Sequence, residues 1–290
     1  MALVERLLLH RDCQPSAPQL FILGLPRSGT TLVYQYIAHR LQLAYFTNGV
    51  GYFPQAPCLT SLLQRRFYGD YVSDFSSHYG KVKGAVAPRE AGAFWCRFFD
   101  IDAYEDVRQF DPTRWSLLRR TIHCLQAWSG GLPFVNKNVK HILRLRLLSE
   151  IFPNSYFLVV ERTAVDIALS ILRARHSELR NPANWWSVKP VEYEAIRHLP
   201  IIDQVALQVV SLRQRLENDL ALLPADRVMR LGYEEFCRHP ENLVDMVANR
   251  LGAQRRTTEP KSIFEVSSAQ PTSEEESLLV EKLQSLLADK

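Results

Sequence analysis

Nine residues after an apolar run, Leu23-Gly24-Leu25-Pro26-Arg27-Ser28-Gly29-Thr30-Thr31, carry the plainest chemistry in this chain. Gly24, four residues, Gly29 and Thr30-Thr31 have the spacing of a phosphate-binding loop in which Thr30 stands where a nucleotide triphosphatase has its lysine. Glycines let such a backbone turn tightly, so that successive N–H groups and the following helix N-terminus face an anion. The cation sits earlier, at Arg27, which suits a shorter anionic group than a triphosphate with its Mg²⁺. A second cation, Arg162, closes the run Tyr156 to Glu161, and Ser170 follows eight residues later, about two helical turns on, so both can address one anion. Read alone, Arg162 is equally a strand-end surface cation. Lys137, between Asn136 and Asn138 at the end of another apolar run, is either a third cation for the same charge or a solvated lysine.

The loop resembles the 5′-phosphosulfate loop of sulfotransferases that use 3′-phosphoadenosine-5′-phosphosulfate (PAPS). Pro26-Arg27-Ser28-Gly29-Thr30-Thr31 matches its P-[KR]-S-G-T-T form, and Arg162 with Ser170 matches the strand-end Arg and later Ser that hold the 3′-phosphate. Arg230-Leu231-Gly232-Tyr233-Glu234-Glu235-Phe236 with His239-Pro240 looks like the family's Y-E-[ED]-[LF] segment, in which the Tyr lies near the nucleotide. Tyr233 is therefore a candidate contact, or else a hydrogen-bonded core tyrosine. The resemblance implies a P-loop-type fold and sulfuryl transfer from PAPS, releasing adenosine 3′,5′-bisphosphate without a metal. It makes Arg27, Ser28, Gly29, Thr30, Thr31, Arg162, Ser170 and Tyr233 the nucleotide contacts. Arg27 and Lys137 then stabilise the departing phosphate.

The base departs from the family pattern. Cytosolic members have K-T-H, whereas this chain reads Lys137-Asn138-Val139. Two residues remain as bases: Glu90, opening an aromatic segment with Phe94, Trp95, Phe98 and Phe99, and His141, one turn into the next helix. Glu90 ranks first; His141 is read rather as a helix-surface residue. The aromatics and Trp185-Trp186 either line an acceptor pocket or belong to the core. The acceptor expected is a hydroxyl or amine on a small molecule, carbohydrate, lipid or acyl group. A P-loop nucleoside or nucleotide kinase is the alternative, disfavoured by Thr30; a non-catalytic nucleotide-binding protein is another, kept open by Val139.

These residues need elements to hold them. Apolar runs at Leu20 to Leu25, Pro133 to Val135, Tyr156 to Val160 and Val228 to Leu231 read as buried parallel strands. Helical periodicity marks Thr30 to Leu41, Val139 to Phe152, Thr163 to Ala174 and Ile201 to Leu223. Asp111-Pro112 opens a helix closed by Gly130-Gly131, and His239-Pro240 opens another that ends at Leu251-Gly252. Ser273-Glu274-Glu275-Glu276 forms a capping box before a final helix at 273–290. The expected fold is α/β: one domain over 1–290, a P-loop-type parallel sheet flanked by helices. A largely helical insertion at 42–131, on the acceptor side, follows the first βα unit.

The chain's 290 residues, 47% hydrophobic and 23% charged, suit a globular protein that buries a large core. A net charge of +4 with no basic run gives no sign of a nucleic-acid tail. Five cysteines, at least 28 residues apart, suggest neither a disulfide framework nor a metal cluster, and so a reducing compartment. The N-terminus, with Leu7-Leu8-Leu9 before His10, Arg11 and Asp12, lacks the length and cleavage site of a signal peptide. No run reaches the ~18 apolar residues of a membrane span. The sequence reads as cytoplasmic.

Overall fold

The computed structural model describes the chain except residues 1–2, 6–8, 10–12, 14–16, 79, 101, 103, 105–110, 262, 267 and 289–290. Leu7, Leu8 and His10 to Asp12 of the N-terminal reading, and the last two residues of the final helix, lie outside the described residues.

Four parallel strands form the sheet: β1 (Gln19–Leu23), β2 (Phe134–Lys137), β3 (Ser155–Glu161) and β4 (Val228–Gly232), in the order β2-β1-β3-β4. Alternate side chains enter two apolar layers. Phe21, Leu23, Phe134, Phe157 and Val159 face one core, whereas Leu20, Ile22, Val135, Leu158, Val160 and Leu231 face the other. The second core is closed by α1 (Thr30–Arg40), through Val33, Tyr36 and Ile37. Between α1 and β2 the chain forms α2 (Pro57–Tyr68), α3 (Gly92–Trp95) and α4 (Pro112–Trp128), with irregular chain over the described part of 69–91. Helices α5 (Leu145–Ile151), α6 (Ala164–Glu178), α7 (Tyr193–Ile196) and α8 (Ile201–Leu220) follow. Then come α9 (Tyr233–Arg238), α10 (Pro240–Leu251) and α11 (Glu274–Ala288). Helices α9 and α10 add Phe236, Leu243, Val244 and Val247 to α1's core, while α4, α5, α6, α8 and α11 cover the other face.

The local signals act as their chemistry requires. Asp111 Oδ1 accepts from the N–H groups of Thr113 (2.9 Å) and Arg114 (3.2 Å), starting α4. Gly252 ends α10 in the left-handed conformation. Ser273 Oγ accepts from Glu276 N–H (3.2 Å), but the Glu276 carboxylate reaches Thr272 N–H (2.7 Å) rather than Ser273.

Three expectations are corrected. The periodic stretch Val139 to Phe152 is a 3-10 turn, Val139–Leu143, followed by the short α5, because Asn138 Oδ1 accepts from Lys140 N–H (2.9 Å) and caps a tighter turn. Strand β2 runs two residues beyond Val135, its polar Asn136 and Lys137 being satisfied by distant partners. Cys13 and Cys124 are joined in a disulfide across 111 residues, which removes the support that scattered thiols gave to a reducing compartment. Among the described residues no helix is long and apolar enough to cross a membrane.

Candidate active site

The loop after β1 is shaped by contacts that leave no room for larger side chains. Gly24 has φ +159°, and a Cβ there would meet Ser28 Oγ at 2.4 Å. Ser28 N–H donates to Leu25 O (3.1 Å), closing the turn, and Arg27 itself takes a left-handed φ of 71°. Strain of this kind persists where surrounding contacts over-determine it. Gly29, at φ +91°, starts α1 with no side-chain cap and no acidic residue in the first turn, so no side chain offsets the positive end of the helix dipole there. Ser28 Oγ is buried without a hydrogen-bond partner among the described residues. A buried hydroxyl of this kind is costly unless something fills its valence.

The end of β3 closes on the same loop. Arg162 Nη1 donates to Arg27 O (3.2 Å), its guanidinium lies 4.9 Å from the Tyr233 ring centroid, and its side chain is 10% exposed. The surface-cation reading of Arg162 is thereby excluded. Ser170 Oγ accepts from Arg27 Nε (2.8 Å), so α6 steadies the loop cation. The Tyr233 ring lies against Gly29, where a Cβ would stand 2.1 Å from Cε2. Burial pushes the Tyr233 phenol up to about 12, which keeps it a neutral hydrogen-bonding group.

The end of β2 supplies the third cation. Lys137 Nζ donates to Thr31 Oγ1 (3.1 Å) and to Glu90 Oε1, and its side chain is only 4% exposed, so it is not a solvated lysine. One cavity of about 580 Å³ is lined by Arg27, Gly29, Thr30, Thr31, Glu90, Lys137, Arg162 and Tyr233. Among the described lining residues three cations thus stand with one carboxylate, Asp166 lying behind Arg162 at 4.0 Å, and the excess of positive charge suits an anionic ligand. Phe75, Ser76, Ser77 and Gly80 form a wall that sequence reasoning missed. Gly80, at φ +84°, passes so near that a Cβ would lie 3.3 Å from Glu90 Oε1, and this glycine is the one retrospective signal. Val139 and Trp186 line the cavity too, whereas Trp185 packs under Arg175 instead.

His141 does not belong to this cavity. It is fully buried, not on a helix surface; its Nε2 lies 2.9 Å from Asn136 Oδ1 and its ring packs edge-on against Phe21 and Trp95. Burial first, then the charges of Arg144 and Lys137, push its pKa well below the usual histidine value. Phe94, Trp95, Phe98 and Phe99 are core, 0–2% exposed, so they line no acceptor pocket. Among the described residues no group of three or more His, Cys, Asp or Glu is placed to hold a metal ion.

Comparison with known proteins follows the same lines. A family model described as the sulfotransferase family matches residues 18–257. Omega-hydroxy-beta-dihydromenaquinone-9 sulfotransferase Stf3 of Mycobacterium bovis (strain ATCC BAA-935 / AF2122/97) is 23% identical over 257 residues, which are 81% of this chain and 63% of that protein. The Stf3 of Mycobacterium tuberculosis (strain CDC 1551 / Oshkosh) gives the same values. The chain therefore spans 63% of the length of the curated relatives it matches. Sulfotransferase STF1 from Mycobacterium tuberculosis H37Rv superposes with a TM-score of 0.54 at 16% identity, over 99% of this chain and 79% of that one. STF9 from Mycobacterium avium gives 0.54 at 15% identity, over 99% and 71%. At these identities the likeness establishes the fold.

Proposed function

The chain belongs to the sulfotransferase family, and on that premise we propose that it transfers the sulfuryl group of PAPS to an acceptor hydroxyl or amine, releasing adenosine 3′,5′-bisphosphate. The observation that carries this reading is the contact between two anion-binding ends. Arg162, beside Tyr233, donates to the carbonyl of Arg27 in the phosphate loop. A nucleotide with a phosphate at each end of its ribose uses both; an ordinary adenosine 5′-phosphate needs only one. The residues fit such a polyanion: three cations, an uncapped helix N-terminus and an orphaned Ser28 hydroxyl.

PAPS, when bound, supplies the sulfuryl group and a phosphate that leaves. Arg27, held by Ser170, and Lys137, held by Thr31, bring positive charge to the phosphate as its negative charge develops. Thr30, in the position a kinase gives to lysine, is buried and directs its methyl toward Gly24, which disfavours the kinase alternative. Glu90 is the group that takes the acceptor proton, a role worth about 10²–10⁴ in rate. In this reading the chain acts as one domain, with residues 42–131 on the acceptor side. The curated relatives are named for a hydroxylated menaquinone derivative, so a lipid acceptor of that class is the first to assay, ahead of carbohydrate and acyl hydroxyls.

The test pairs calorimetry with transfer from radiolabelled PAPS to a panel of hydroxylated acceptors. Adenosine 3′,5′-bisphosphate is expected to bind without Mg²⁺ and more tightly than adenosine 5′-phosphate, and label is expected on an acceptor. Mg²⁺-dependent ATP binding without bisphosphate binding would overturn the assignment. Bisphosphate binding with no transfer to any acceptor would leave the non-catalytic alternative standing.

A further inference from the structure

Asn136 is a polar side chain in an aromatic layer, fully buried beside Phe21, Phe134 and Trp95. A buried amide is costly unless every polar atom is matched, and here the partners determine which way it faces. Trp95 Nε1 can only donate, and it lies 2.9 Å from Asn136 Oδ1. His141 Nε2 lies 2.9 Å from the same oxygen, so it too must donate. The imidazole is then the neutral Nε2–H form, consistent with the depressed pKa of this buried ring. With Oδ1 filled by two donors, the Asn136 amide nitrogen faces the other way, donating to the backbone carbonyl of Arg89 (3.2 Å).

Two residues on, Asn138 repeats the grip. Its Nδ2 donates to the carbonyl of Glu90 (3.3 Å), while its Oδ1 accepts from Lys140 N–H (2.9 Å). Between the two asparagines, Lys137 projects to the opposite side and meets the Glu90 carboxylate. The chain just beyond Glu90 is strained, Ala91 holding a left-handed φ of 54° while 1% exposed. A non-glycine residue in that region needs external contacts to stay there.

We infer that Asn136 and Asn138 are positioning residues for the acceptor-side carboxylate of Glu90, with His141 setting the orientation of the Asn136 amide. The two side chains hold consecutive carbonyls, of Arg89 and Glu90, so the Glu90 carboxylate is presented at Lys137 and Thr31 instead of swinging with the irregular chain before α3. His141 is thus part of the catalytic apparatus without touching substrate. This inference rests on the proposed role of Glu90 as the base.

The experiment is a double-mutant cycle on turnover, read together with bisphosphate affinity. Asn138→Asp keeps the Oδ1 acceptor for Lys140 and replaces the amide donor to Glu90 by a carboxylate oxygen that cannot donate; His141→Phe keeps an aromatic ring and removes the Nε2 donor. Each is expected to lower kcat about 10-fold or more, with the bisphosphate Kd within about 2-fold of wild type. Glu90→Gln alone is expected to lower kcat about 10²–10⁴-fold. In the Glu90→Gln background neither substitution should lower kcat further, because a positioning residue has nothing left to position. Equal losses in both backgrounds would show a merely structural role and overturn the inference, as would unchanged kcat in the single variants while Glu90→Gln is slow. Wild-type turnover by Glu90→Gln would instead overturn the base reading itself. Should His141→Phe fail to fold, Asn138→Asp decides alone.

Discussion

Gly29→Ala tests the donor loop through a contact whose size can be worked out. The backbone at Gly29 holds φ +91°, where an alanine costs about 1–2 kcal/mol. The new methyl would stand 2.1 Å from Tyr233 Cε2, against an ordinary contact of at least 3.4 Å, so the ring must retreat by about 1.3 Å. That movement disturbs the packing of Arg162 on the ring, an interaction worth roughly 0.5–2 kcal/mol. The combined loss of about 1.5–4 kcal/mol corresponds to a fall in Tm of about 2–7 °C for a chain of this size. Because Arg162 moves, adenosine 3′,5′-bisphosphate should bind about tenfold more weakly, roughly 1.4 kcal/mol. Calorimetric melting and titration read both effects. In a Tyr233→Leu background, Gly29→Ala should cost only its backbone share of about 1–2 kcal/mol. An undiminished cost there, or wild-type bisphosphate affinity in the single variant, would refute the reasoning.

Arg27→Ala should weaken bisphosphate binding by about 1.5–3 kcal/mol, the worth of a charged hydrogen bond, and abolish transfer; normal turnover with unchanged affinity would remove Arg27 from the site. Arg162→Ala and Ser170→Ala should each shrink the preference for adenosine 3′,5′-bisphosphate over adenosine 5′-phosphate, a pair of dissociation constants that would stay at the wild-type ratio if neither residue shapes this site. Glu276, gripped by Arg173 (2.7 and 2.8 Å) and Thr272 N–H, titrates at about 2 instead of 4.5. The unfolded chain therefore takes up this proton first as pH falls, so the stabilisation is whole above about 4.5 and is lost between 4.5 and 2. Glu276→Gln should melt earlier at pH 7 with a gap that closes as pH falls through that range; a constant gap would contradict the linkage.

What could be read in the sequence was local. Leu20 to Leu23 and Tyr156 to Val160 are continuous apolar runs, so burial on both faces leaves a direct trace, whereas Val228 to Leu231 carries the exposed Arg230 and is buried on one face only. The loop Gly24 to Thr31 is one short segment whose glycines answer to contacts within it and to Tyr233. Asn136 left no such trace, because the groups that satisfy it stand at Arg89, Trp95 and His141. For the same reason the sequence places the end of β2 two residues too early. The break after Leu143 was hidden since a 3-10 turn and an α-helix share the i, i+3 spacing of apolar residues. His141 lies close to Lys137 in sequence and Glu90 far from it, yet the strand end carries Lys137 toward Glu90 and away from the ring.

That last reversal follows from the two-residue period of a strand. Phe21 pairs with Asn136 and Ile22 with Lys137, so Asn136 lies on the aromatic face and Lys137 on the α1 face, next to Thr31. A slip of one residue would exchange them. It would bury an ammonium among Phe21, Trp95 and Phe134, where no carboxylate is at hand, and would bring an amide to the loop in place of a charge. Both errors are costly, and together they pin the register. The alternation that makes the core cohere is therefore the same one that delivers the cation to the phosphate loop and leaves the flanking asparagines facing the Arg89 and Glu90 carbonyls. Stability and geometry at this strand end are one constraint, which is why two consecutive polar residues can end a strand whose first two are wholly buried and apolar.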